Sequence, residues 1–214
     1  MNWADAEAVF WDVDTQIDFL HPTGTLYLKG AEAILPNLRA LTAFASRRRI
    51  PVVASVCAHQ ENDAEFEEFG AHCLVGTTGQ KKIAETQLAD YRTIPAHRID
   101  FAEEHTAGSQ LVIEKRDFDV FTNPNTELVL ECFTFRPQFF VYGVVSEICV
   151  SAAAMGLLAR GCRVSIVEDA IFEIDRACAD RALESFQSKG GTVVRTVDVV
   201  GLTSGAEAAL LVRG

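Results

Sequence analysis

Short apolar runs rich in β-branched and aromatic residues recur along the chain, at 8–13, 51–56, 111–114, 138–142, 163–167 and 192–197. Each reads as a strand buried on both faces of a sheet. Between them, apolar positions return at helical spacing over 31–49, 80–89, 125–133, 147–160 and 176–189, and most of these stretches stop near Gly or Pro. Alternation of this kind predicts a three-layer α/β/α, Rossmann-like architecture around a six-stranded, mostly parallel sheet. At 214 residues a single domain spanning 1–214 suffices. Residues 57–80 and 90–110 are weakly periodic and hold His59, His72, His97 and His105. They read as loops over the strand ends, where long loops often bind or cover ligands.

Composition narrows the function classes. The net charge of −11, with no basic cluster beyond Arg47, Arg48 and Arg49, disfavours a nucleic-acid partner, which needs a basic face. No apolar run approaches the roughly 20 residues that span a bilayer, and the first residues do not resemble a signal peptide. A cytoplasmic protein is therefore expected, without membrane or nucleic-acid partners. The six cysteines form no CxxC pair, so they read as free thiols, most of them small buried hydrophobes. Neither GxxxxGK[ST] nor GxGxxG occurs, which leaves a nucleotide without its backbone cradle.

In open parallel sheets the ligand lies beyond the carboxyl ends of the strands. Those ends carry Asp14, the segment 57–59, Lys115 and the turn Gly143-Val144-Val145-Ser146-Glu147-Ile148-Cys149, with Glu168 and Asp169 further on. With Ser146 as N-cap, Cys149 sits in the first turn of a helix, where free N–H groups favour a thiolate below the usual thiol pKa. Ser151, Ala152, Ala153, Ala154 and Gly156 then permit close packing of that helix on the sheet. Taken singly, Cys149 is equally a buried structural thiol, Asp14 a turn cap and Lys115 a strand-end lysine reaching to solvent.

Together the segments resemble the isochorismatase-like cysteine hydrolases, nearest to the nicotinamidase branch. VDTQIDF (13–19) is similar to the motif of the general base, IEKRDFDVF (113–121) to that of the catalytic lysine, and YGVVSEICV (142–150) to that of the nucleophile. The resemblance implies a triad of Asp14, Lys115 and Cys149 hydrolysing a small amide through a thioester. It also implies an oxyanion hole from the N–H groups of Val145 and Cys149, a cis peptide at Val144–Val145, and a substrate pocket bordered by Phe19 and Val144. Its strand order places Lys115 two strands from Asp14, roughly 10 Å away, a gap that lysine is long enough to span. The family usually has Thr-Asp where this chain has Ser146-Glu147.

A metal is the second candidate. Nicotinamidases hold a divalent ion with Asp-x-His and a later His; here VCAHQEN (56–62) and GAHCLVGTTGQ (70–80) supply Cys57, His59 and His72. These are ligands suited to zinc or another divalent metal, with Glu65 or Glu68 available to complete the shell. Cys in place of Asp, and the short spacing from His59 to His72, argue for the alternative of a lost site in which Cys57 is an ordinary strand residue. Family habit implies a homodimer or homotetramer and a small-molecule amide substrate. Two other readings stand beside the nicotinamidase-like one: a metal-independent carbamoyl or ureido amidohydrolase, and a non-catalytic binding or redox module. Isochorismatase itself lacks the cysteine nucleophile, so Cys149 counts against that activity. Convergence of Asp14, Lys115 and Cys149 separates catalysis from the non-catalytic module.

Overall fold

The apolar runs become strands whose order follows from their connections. The computed structural model describes residues 3–202, so both ends of the expected 1–214 domain lie outside the described residues. Strands β1 (Ala8–Val13), β2 (Val52–Cys57), β3 (Tyr91–Ile94), β4 (Gln110–Lys115), β5 (Gln138–Val144), β6 (Arg163–Phe172) and β7 (Thr192–Val194) form one sheet ordered β3-β4-β2-β1-β5-β6-β7. Every pairing is parallel. From β1 the chain builds outwards through β2, then crosses to the other side at β5. That reversal opens a crevice beyond the carboxyl ends of the central strands.

The helices are α1 (Ile17–Leu20), α2 (Leu35–Arg48), α3 (Phe66–Phe69), α4 (Thr126–Glu131), α5 (Ser151–Ala159), α6 (Arg176–Ser188) and α7 (Thr196–Val200). Alternation along β1 sorts its side chains between two cores. Phe10 joins Leu38, Leu41 and Phe44 of α2 and Val199 of α7. Val9 and Trp11 join Val129 of α4, Ala154 and Leu157 of α5, and Phe186 of α6 on the opposite face. Strands covered on both sides have no polar face, which is why they read as continuous apolar runs.

The α/β/α class stands, but the sheet has seven strands instead of six. The additional strand, β3, lies at the edge within the stretch expected to be loop, and only Ile94 of its four residues is buried. A segment that buries one side chain leaves no apolar run to read. The helix expected over 80–89 does not form. Its backbone bonds the segment after β1 instead, with Ile17 N donating to Lys81 O and Ile83 N to Thr15 O. Lys82 turns inward, its Nζ 2.6 Å from Asp12 Oδ2 and 2.7 Å from Thr15 Oγ1.

The run at 192–197 divides into β7 and α7, because Asp169 Oδ1 accepts from both N and Oγ1 of Thr196 and starts a helix there. The 147–160 helix begins instead as a π-helical turn at Ser146–Val150. Ser146 lies inside that turn and caps nothing; its Oγ donates to Glu147 Oε2. Gly156 admits the Phe121 ring rather than the sheet, since a Cβ there would lie 2.4 Å from it. The Val144–Val145 peptide is cis, as the resemblance implies.

At Gly143 the backbone of β5 lies close against that of β1. The φ of Gly143 is +122°, and a Cβ would lie 2.0 Å from Val13 O. Gly190 also has positive φ, at +91°, but open space around it. In urea unfolding, Gly190→Ala should cost about 1–2 kcal/mol of backbone strain, and Gly143→Ala distinctly more, upwards of about 3 kcal/mol, because rigid backbone must move. Equal losses would contradict this account of the β1–β5 contact.

Candidate active site

Asp14 follows β1 with φ +51°, a left-handed conformation that Asp tolerates better than most residues. It is fixed to β2 twice: its N–H donates to Ser55 O at 3.1 Å, and Ser55 Oγ donates to its Oδ1 at 2.8 Å. Lys115, the last residue of β4, is in register with Cys57 on β2. Its side chain crosses that strand to place Nζ 2.9 Å from Asp14 Oδ2. The two-strand gap expected from the strand order is thus closed by the length of lysine.

Lys115 Nζ also donates to Asp117 O at 3.0 Å, to Cys57 Sγ at 3.3 Å and to Cys149 Sγ at 3.5 Å. The Asp14 and Lys115 side chains are each only 1% exposed. Burial pulls the Lys115 ammonium down, but the Asp14 carboxylate beside it outweighs burial and holds its pKa well above the ordinary lysine value.

Cys149 corrects the expectation of an acidic thiol. Burial pushes it well above the usual thiol range, against the pull of Lys115, while the neighbouring Asp14 carboxylate pushes the same way as burial. Enclosure of the turn thus opposes ionisation of the thiol, and Asp14 is the carboxylate in hydrogen-bonding contact with it.

Asp14 and Cys149 lie at the floor of a pocket enclosing about 370 Å³ of empty space, its open mouth included, with Lys115 bonded to both from behind. Cys57, Glu65 and His72 complete the polar floor. The walls are apolar and include both expected residues, Phe19 and Val144, with Val145 beside them. Sequence reasoning missed Leu26, Leu28, Phe69, Phe118, Ile148 and Ile174. Isolated apolar residues in loops and single helical turns carry no signal of which surface they face.

Cys57, His59 and His72 also converge: one ligand atom from each lies within 4.8 Å of the others. The spacing of the two histidines is no obstacle. The chain loops out through α3 and returns, pairing Leu74 in parallel with His59, over the dozen or so residues such a crossover needs. Gln16 fixes the third member, its Oε1 accepting from Cys57 N and its Nε2 donating to Cys57 O, both at 2.8 Å. Asp18 accepts from Thr25 N at 3.0 Å and Cys73 N at 2.6 Å, tying the His72 loop to α1.

Each imidazole is oriented by its Nδ1, which faces Asp63 Oδ2 at 3.0 Å in His59 and Gly70 O at 2.9 Å in His72. Neither buried Nε2 makes a well-formed hydrogen bond, although both face the Glu65 carboxylate. Metal-ligating histidines show this arrangement, the far nitrogen held by a carboxylate or carbonyl and the near one presenting its lone pair. Burial holds His59 below the usual imidazole range, whereas at His72 burial is outweighed by Glu65 and the Gly70 carbonyl, which hold that imidazole above it. Glu65 reaches both Nε2 atoms, at 3.7 and 3.4 Å, whereas Glu68 is exposed. Asp63 is not among the sequence candidates; Arg116, hydrogen-bonded to it, holds its carboxyl well below the ordinary range.

Among curated proteins none matches the chain. Among solved structures, N-carbamoylsarcosine amidase from Thermoplasma acidophilum is similar at 25% identity, covering 89% of this chain and 96% of that one, with a TM-score of 0.71. A nicotinamidase from Bacillus subtilis aligns at 22% identity over 88% and 99% of the two chains, TM-score 0.73. A pyrazinamidase of Pyrococcus horikoshii in complex with zinc aligns at 24% identity over 88% and 99%, TM-score 0.70. The family model of the isochorismatase domain matches residues 11–198, a span that runs from β1 to α7 and takes in every residue of the site. The chain belongs to the isochorismatase family.

Proposed function

We propose that this isochorismatase-family enzyme is a cysteine-dependent amidohydrolase that converts a small, uncharged carboxamide to its acid and ammonia. The observation that carries the reading is the convergence of Asp14, Cys57 and Cys149 on one buried ammonium, Lys115 Nζ, at the floor of an apolar pocket.

Asp14 takes the proton of the Cys149 thiol, whose ionisation burial opposes. The thiolate attacks the amide carbon while the Lys115 ammonium stabilises it electrostatically and keeps Asp14 in place. The carbonyl oxygen, now negative, is received by the backbone N–H groups of Val145 and Cys149. Asp14 returns the proton to the departing ammonia, leaving a thioester on Cys149. Water, deprotonated by the same carboxylate, then releases the acid and regenerates the thiol. One carboxylate serves both half-reactions, which accounts for its two fixed bonds to β2.

Cys57, His59 and His72 would hold a divalent ion such as zinc, the orphaned Nε2 atoms supplying two of the donors. When bound, such an ion supplies a Lewis-acidic point that can orient a substrate ring nitrogen beside the thiol. The carbamoyl reading has the 25%-identical N-carbamoylsarcosine amidase in its favour. Against it, no arginine or lysine is found among the described residues that line the pocket, and a carboxylate-bearing ureido compound needs one.

An ammonia-release assay over small amides, with and without divalent metal, tests the reading. Cys149→Ala should remain folded by circular dichroism and lose at least ~10³-fold in kcat/KM. A haloacetamide should give a single adduct by intact mass, mapping to Cys149. Near-normal turnover by the variant, or adducts at Cys57 or Cys73 instead, would remove Cys149 as the nucleophile.

If the second cluster holds metal, untagged protein should carry about one equivalent of zinc, lost in His59→Ala. Nicotinamide should then be hydrolysed far better than benzamide, which lacks the ring nitrogen, by ~10²-fold or more. Negligible metal content with equal rates for both amides would assign the cluster a purely structural role.

A further inference from the structure

Glu147, where the family usually has Asp, is two residues from the nucleophile and bonds away from it. Its Oε1 accepts from two successive backbone N–H groups, Ile174 at 3.0 Å and Asp175 at 2.8 Å. Its Oε2 accepts from Ser146 Oγ at 3.1 Å. The segment so held is the short connection from β6, which ends at Phe172, to α6, which begins at Arg176. Asp175 is the N-cap of α6, its side chain accepting from Cys178 N at 2.7 Å.

Between these anchors stands Ile174, which lines the pocket together with Phe19 and Phe118 yet is 54% exposed. A large apolar side chain half in water at the mouth of an apolar site gains contact area only when something apolar enters. Its position depends on Glu147, because the connection has no other side-chain tie to the nucleophile turn among the described residues' hydrogen bonds.

We propose that Glu147 is a positioning residue that latches the 173–175 connection onto the nucleophile turn, and that Ile174 is the specificity-determining wall it holds over the pocket, selecting amides with an apolar acyl group. The selectivity half rests on the amidase reading above; the latch half does not. The substitution Glu147→Gln keeps an acceptor oxygen for both backbone N–H groups, and its amide can donate to Ser146 Oγ, whereas Glu147→Ala keeps nothing. The contrast between the two variants therefore separates the hydrogen bonds from the charge.

The test combines hydrogen exchange with steady-state kinetics on acetamide, hexanamide and nicotinamide. Exchange at the Ile174 and Asp175 amides should accelerate at least ~10-fold in Glu147→Ala and stay near wild type in Glu147→Gln. Glu147→Ala and Ile174→Ala should raise KM roughly 5–10-fold for hexanamide and nicotinamide but no more than about twofold for acetamide, and leave kcat within about twofold, with Glu147→Gln restoring KM. Unchanged exchange in Glu147→Ala would overturn the latch. A fall in kcat at constant KM, or equal effects on acetamide and hexanamide, would overturn the role of Ile174. Released amides in a protein that hydrolyses none of the three would remove the amidase reading while supporting the latch.

Discussion

Burying an ammonium and a carboxylate together is costly unless each finds the other at hydrogen-bonding distance, and the site is organised around that requirement. Lys115 and Asp14 leave water almost completely, and their charges meet at 2.9 Å. Removing one partner from such a pair typically costs about 3–5 kcal/mol, because the survivor is left buried and uncompensated. Ser55 supports the carboxylate and Asp117 the ammonium, so the pair has few alternative geometries.

The sheet order makes the pair possible and also decides what lies between its members. Lys115 reaches Asp14 by passing over β2, so the residue at the end of β2 must sit beneath its side chain. That residue is Cys57, whose sulfur meets both Lys115 and Asp14 and also lies within 4.8 Å of ligand atoms of the two histidines. One sulfur thus links two clusters that read as separate in the sequence. Gln16, clamped to both the N–H and the carbonyl of Cys57, keeps that sulfur from moving with the loops that follow.

The central strands and the three residues at their ends are legible in the sequence because burial on both faces produces long apolar runs, and a charged residue closing such a run stands out. Cys57, His59 and His72 are legible as types but not as neighbours, since their spacing gives no sign that the chain returns as a parallel bridge at Leu74. What cannot be read depends on tertiary pairing. The 80–89 pattern looks helical, yet Lys82 belongs to Asp12, and one buried ion pair overrides a weak local preference. Edge strand β3 buries a single side chain, and Asp63, Glu147 and Ile174 act from turns and loops where residue type says little. The thiol of Cys149 reads as acidic from helix position alone; burial at the floor of the pocket reverses that direction.

A double-mutant cycle on Asp14→Asn and Lys115→Met, followed by urea unfolding, probes the founding contact most directly. Asn tolerates the left-handed backbone at position 14, and Met replaces the buried lysine stem. Lys115→Met alone should be strongly destabilising, by about 3 kcal/mol or more, and adding Asp14→Asn should recover most of the loss because no carboxylate is left unpaired. Losses that simply add would contradict the claim that this buried pair is the constraint on which the site is built.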